Sequence, residues 1–170
     1  ELRKNNVKLK EIRYREIGFN KENINLNLKL KITKYNASNG KEYFIEIVNK
    51  EDILFGLLRL RIVNNKRFSK QGSTINDDID KLDNLNSKKN IALIRELHVY
   101  GQSLKLGEKS EIAGQHKGFG KWLMGEAEKI AVKEKCKEIK VISGVGVREY
   151  YSSKLGYHID NQNNYMVKEL

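Results

Sequence analysis

Ile24, Leu26, Leu28, Leu30 and Ile32 stand at every second position, with Asn or Lys between them. A period of two sends alternate side chains to one face, so the run predicts a half-buried strand. Asn39-Gly40 is a turn signal, and Tyr43, Ile45 and Ile47 resume the alternation, which reads as a hairpin. Ile53 to Val63 predicts a third strand with Arg59 and Arg61 on its polar side, and Ile91 to Tyr100 a fourth. Residues 64–90 between them are rich in Asn, Asp, Ser and Lys and read as loop. The pattern then changes period. Leu123, Ala127, Ile130 and Ala131 predict a helix over Lys121 to Lys135, followed by a strand from Ile139 to Ser143. Gly144 and Gly146 break that strand, Arg148 to Lys154 suits a short helix, and Tyr157–Ile159 and Tyr165–Lys168 close as strands. Strands followed by helix, strand, helix and strand describe an α+β protein.

At 170 residues the chain is one domain's worth and needs no staples. Residues 1–22 read as a basic lead-in, with Arg3, Lys4, Lys8, Lys10, Arg13 and Arg15 crowded together, and 23–170 as the domain. No apolar run is long enough to span a bilayer and no signal-peptide pattern opens the chain. One cysteine, Cys136, cannot form an internal disulfide, so a cytoplasmic location is expected. One cysteine and three scattered histidines make no metal site. The net charge of +11 suits polyanionic partners such as nucleic acid or a phosphorylated cofactor, with no membrane partner expected. The plainer reading is a solvated Lys-rich surface.

Gln115-His116-Lys117-Gly118-Phe119-Gly120 precedes the predicted helix. Its glycines allow a tight turn and close backbone approach, and the helix start offers unpaired N–H groups to a diphosphate. The hexapeptide fits Gln/Arg-x-x-Gly-x-Gly/Ala and so resembles the coenzyme A motif of the GNAT acetyltransferase superfamily. Its plain alternative is a glycine turn before a surface helix.

Further motifs occur with it and in order: Arg95–Gly101, Val141–Gly146, Arg148 with Tyr150-Tyr151, and Tyr165–Lys168. Together they resemble the C-terminal acetyltransferase domain of the Elongator catalytic subunit family, whose members modify wobble uridine in tRNA. The resemblance is tightest over 91–170 and looser over 11–63. It implies a GNAT fold, a mixed and mostly antiparallel sheet flanked by helices, and an acetyl-CoA-dependent acyltransferase that acts with tRNA. It also implies a radical SAM domain elsewhere in the full-length protein, binding S-adenosylmethionine and a 4Fe–4S cluster that this chain does not bind. The family's zinc-binding lead-in cysteines are matched here by Leu9, Glu11 and Tyr14, so no zinc site is expected.

By that resemblance Glu96, Leu97, His98 and Val99 meet acetyl-CoA. Strand alternation puts Glu96 and His98 on one face and Leu97 and Val99 on the other. Gln115, Lys117, Gly118, Phe119, Gly120 and Lys121 surround the diphosphate, with Phe119 contributing its backbone and anchoring the turn. Tyr150 and Tyr151 are the catalytic pair, able to protonate the departing thiolate, and Tyr151 is the first choice for cofactor contact. Tyr151 stands five residues before Gly156 where GNAT tyrosines usually stand four before, which leaves the division of labour in the pair open. Glu96 or His98 is a candidate base. Arg13, Arg15, Arg59 and Arg61 are candidate tRNA contacts. The alternative activities are protein lysine N-acetylation and RNA binding with a vestigial cofactor motif.

Overall fold

The computed structural model describes residues 11–19, 24–38, 40–64, 90–101, 118–161 and 164–170. Two helical turns open it: α1 (Ile12–Arg15) and a 3-10 turn over Ile17–Phe19. Seven strands form one sheet among the described residues: β1 (Lys29–Ala37), β2 (Gly40–Val48), β3 (Leu54–Asn64), β4 (Asn90–Val99), β5 (Cys136–Val141), β6 (His158–Asp160) and β7 (Tyr165–Glu169). Their order across the sheet is β1-β2-β3-β4-β5-β7-β6. Every pairing is antiparallel except β4 with β5. A parallel join needs a crossover, and α2 (Phe119–Lys133) supplies it. A second 3-10 turn, Val145–Val147, leads into α3 (Arg148–Leu155). The α+β class expected from the sequence is the class observed.

Several boundaries move, and three of the shifts have a clear local reason. β1 begins at Lys29 rather than Ile24, because Lys29 already pairs with Val48, the last residue of β2. Upstream, Asn25 turns the chain: its side chain accepts from the Asn27 N–H at 2.8 Å and its carbonyl accepts from the Asn49 side chain at 3.1 Å. Ile24 and Leu28 still pack on the core. The hairpin turn sits one position earlier than expected, since Gly40 is paired with Ala37 and Ser38 takes the positive φ of 44° that a tight hairpin needs. β5 starts at Cys136 rather than Ile139, directly after Lys135 turns the chain out of α2 with a φ of 62°.

The core lies between α2 and one face of the sheet. Leu123, Met124, Ala127 and Ala131 have no exposed surface and meet Ile45, Leu58, Leu60, Ala92 and Ile139. Truncating one of the larger members to alanine costs about 2–5 kcal/mol. Ile17 belongs to the same core, and Glu16 bridges to Leu54, so part of the expected lead-in is packed on the sheet. The C-terminal end of α2 is tied to the hairpin through Glu134, which accepts from Lys34, Lys41 and the Tyr43 hydroxyl.

The other face is charged. Glu42 is almost fully buried beneath Arg61 at 2.9 Å and Arg95 at 3.2 Å. Glu46 is equally buried and pairs with Arg15 at 2.7 Å, and Arg15 also reaches Asp52. Buried carboxylates persist only when paired in this way, so these arginines are structural clamps first. No helix among the described residues is long and apolar enough to cross a membrane.

Candidate active site

β4 and β5 part company midway. β5 pairs with β4 only as far as Ile94, while β4 continues along β3 to Val99. From Glu96 onward the edge of β4 on the β5 side therefore has no neighbouring strand among the described residues. A bulge marks the place: Arg59 pairs with Glu96 and Leu60 with Ile94, which leaves Arg95 as the extra residue. One extra residue inverts the alternation. Ala92 and Ile94 face the core before the bulge, and Leu97 and Val99 line the adjoining cleft after it. Glu96 turns the other way and pairs with Arg59 at 2.7 Å. His98 lies beside the Tyr100 ring, centroids 6.2 Å apart and nearly parallel.

Facing this parted strand is the start of α2. Gly118 precedes the helix with φ +121° and ψ −15°, a conformation that a side chain makes costly. As the cap residue it offers no side chain to the N–H groups of the first turn. Gly120 is a glycine for a different reason. A Cβ there would stand 2.6 Å from the Tyr150 hydroxyl. Phe119 leans away and meets Phe55 edge-on at 6.3 Å, which anchors the turn to the core.

The third wall is α3. Tyr151 is buried, edge-to-face with Tyr150 at 5.6 Å on one side and with Tyr157 at 5.9 Å on the other. Tyr157 in turn donates to Glu128 at 3.0 Å, and Lys168 holds the same carboxylate at 2.9 Å. Three rings thus run from the cleft to an ion pair on α2. Burial raises the Tyr150 hydroxyl above its ordinary range; burial and the neighbouring Tyr150 do the same for Tyr151. Both hydroxyls hold their protons at neutral pH.

Leu97, Val99, Gly118, Gly120, Val147, Tyr150 and Tyr151 enclose a cleft of about 420 Å³, within the roughly 300–1,000 Å³ usual for small-molecule sites. Six of these seven were singled out from the sequence. Val147 was not, and its one sequence signal is its place between Gly146 and the helix that carries the tyrosines. Lys121 is exposed beside the helix start, and Glu96 and His98 send their side chains to the face away from the cleft. Gln115 and Lys117 lie outside the described residues. Arg13 is exposed on α1, whereas Arg15, Arg59 and Arg61 are engaged in ion pairs. Cys136 is buried, which pushes its thiol up to about 11, as expected of a packing residue. No cluster of three metal-ligating side chains occurs among the described residues.

Comparison with known proteins gives a consistent picture. No family model matches the chain. It is 38% identical over 169 residues to Elongator complex protein 3 of Schizosaccharomyces pombe, a match covering 96% of this chain and 28% of that protein. It is 42% identical over 164 residues to the tRNA uridine(34) acetyltransferase of Methanocaldococcus jannaschii, covering 92% of this chain and 27% of that one. Among solved structures, the archaeal Methanocaldococcus infernus Elp3 with an N-terminal deletion superposes with a TM-score of 0.71 at 37% identity, over 99% of this chain and 37% of that chain. The chain therefore spans little more than a quarter of the curated relatives it matches. Sheet order, strand parting and glycine turn together make the GNAT acetyltransferase fold.

Proposed function

We propose, from the premise that this chain belongs to the Elongator complex protein 3 family, that it is the family's acetyl-CoA-binding domain and serves the carboxymethylation of wobble uridine in tRNA. The observation that carries the reading is the meeting of three features in one cleft: a β4 edge with no neighbouring strand among the described residues, a helix start capped by glycine and a tyrosine hydroxyl.

Each feature matches one part of the ligand. The amides of Gly118, Phe119, Gly120 and Lys121 suit a diphosphate, where the positive end of the helix dipole favours an anion. Gln115 and Lys117 add to that end by resemblance. The open edge of β4 from Glu96 to Val99 offers backbone groups to an extended amide-bearing arm, as a further strand would. Leu97 and Val99 supply the apolar floor. When the thioester C–S bond breaks, the sulfur needs a proton, and Tyr150 has its hydroxyl in the cleft to give one. Tyr151 backs that ring and contacts the cofactor from the cleft wall.

Radical chemistry belongs elsewhere in the full-length proteins. Clusters of the 4Fe–4S type are held by several thiolates, and one buried cysteine does not fit that role. S-adenosylmethionine and the cluster are assigned to the radical SAM domain. Of the four arginines considered as tRNA phosphate contacts, Arg13 and Arg59 are the more exposed and the better candidates, while Arg15 and Arg61 are held on buried carboxylates. Protein lysine N-acetylation finds no support among the relatives, and a +11 chain is ill suited to a basic peptide.

Isothermal titration with acetyl-CoA tests the reading, with one-to-one binding expected. Coenzyme A release, followed with a thiol reagent, is expected to rise when tRNA is added. No heat from acetyl-CoA at millimolar concentration refutes the assignment.

A further inference from the structure

Trp122 is the single tryptophan of the chain, and 40% of its surface stands in water within the first turn of α2. The fold does not ask for it there. The buried stripe of α2 runs through Gly120, Leu123, Met124 and Ala127, and at about 100° per residue Trp122 lies roughly 145° from the middle of that stripe. Tryptophan is also no better a helix former than the lysines around it. Among the described residues no hydrogen bond, ring stacking or cation contact engages the indole. One turn further on, Gly125 places no side chain beside it, and a Cβ there would meet nothing within 4 Å.

Its position relative to the cleft is what matters. Gly120 faces the Tyr150 hydroxyl, so it marks the side on which the thioester arm lies. Trp122 is two residues further, about 200° round the helix, on the far side of the same helix end. A ligand that lays its arm over Gly120 and its diphosphate across the helix start leaves on the Trp122 side. Helical side chains lean toward the N-terminus, which brings the indole over the turn that the diphosphate occupies.

We propose that Trp122 is the adenine platform of the acetyl-CoA site, stacking the base of the nucleotide end while the α2 start holds the diphosphate. The inference rests on the reading that acetyl-CoA binds there, and it adds the residue that recognises the half of the ligand remote from the chemistry. Adenine is a flat π-system, and the exposed indole offers a matching surface at no cost to the core.

Because the chain has one tryptophan, its own emission reports the contact. Acetyl-CoA is expected to quench that emission with the same affinity that calorimetry gives. Acetyl-4′-phosphopantetheine, which lacks the adenosine end, is expected to bind without quenching. Trp122→Ala should weaken acetyl-CoA by roughly 5- to 150-fold, the range of a base–aromatic stack, and leave acetyl-4′-phosphopantetheine unchanged. Trp122→Phe should recover most of the loss. Circular dichroism melts of the variants should stay close to the parent, since Trp122 is not part of the buried core cluster. If calorimetry shows acetyl-CoA bound while emission and the Trp122→Ala affinity stay unchanged, the platform is refuted and the acetyl-CoA reading stands. If Trp122→Ala weakens tRNA retention and spares acetyl-CoA, the ring serves RNA instead and the proposal falls. If acetyl-CoA does not bind the parent chain at all, both readings fall together.

Discussion

Gly118 and Gly120 are two residues apart in one motif, yet replacing each by alanine should fail in a different way. At Gly118 the fault is backbone strain: φ is +121° and a Cβ would meet no neighbour within 4 Å. Such strain costs about 1–3 kcal/mol, or a fall of roughly 2–12 °C in Tm for a domain of this size. At Gly120 the backbone is helical and alanine gains about 1 kcal/mol of helix propensity. The cost falls on Tyr150, whose hydroxyl must retreat from 2.6 Å to ordinary contact near 3.4 Å, a shift of roughly 0.8 Å. That disturbs its edge-to-face pair with Tyr151, worth about 0.5–1.5 kcal/mol. The two terms nearly cancel, so Gly120→Ala should melt within about 3 °C of the parent. Its chemistry should suffer more, because a catalytic group misplaced by about 1 Å loses on the order of a hundred-fold in rate. Thermal melts and tRNA-stimulated coenzyme A release measure both halves. A double-mutant cycle with Tyr150→Phe isolates the hydroxyl: on that background Gly120→Ala should cost little further rate. Equal losses on both backgrounds would place the clash with the ligand and refute the reasoning.

Other expectations follow from the same geometry. Tyr150→Phe should slow coenzyme A release by about 10²–10⁴-fold; since burial raises this hydroxyl above 10, the parent's rate should show no loss of the acid below pH 9, and a falling limb centred near pH 7–8 would assign the proton to another group. Burial works against ionisation of Glu134, yet hydrogen bonds from Lys41, Tyr43 and Lys34 bring its carboxyl down to about 2 from 4.5. A depressed carboxylate stabilises above its unfolded value and stops doing so as it protonates in the fold. The stability gap between parent and Glu134→Gln should therefore narrow as pH falls from about 4.5 toward 2, and a gap independent of pH in urea titrations would contradict this. Tyr157→Phe leaves Glu128 with Lys168 alone and should cost about 1–2 kcal/mol by calorimetry, while a neutral result would mean the hydroxyl is not donating to Glu128.

The elements that bury one face were legible in the sequence. Tyr43, Ile45 and Ile47 declare β2, and Leu123, Ala127, Ile130 and Ala131 declare α2, because a single period fixes which side meets the core. Gly118 and Gly120 marked the cleft for a similar reason, since each stands where a side chain would obstruct a turn or a neighbour. Glu42 and Glu46 alternate with Tyr43, Ile45 and Ile47 and lie on the opposite face of β2. Their burial depends on Arg15, Arg61 and Arg95 arriving from other elements, which no local pattern reports. The two tyrosines could not be told apart either, because one is placed against Tyr157 and the other against Gly120 only once α3 docks. The bulge in β4 was not legible, because Ile91, Ala92, Leu93 and Ile94 are all apolar and show no phase for Leu97 and Val99 to break.

That single unmatched residue works like a frameshift written into a strand. Were the same residues to run on without that bulge, Glu96 and His98 would look into the cleft while Leu97 and Val99 faced the opposite side. With the bulge in place, one strand turns apolar side chains to a dry interior along its first half and to the cleft along its second.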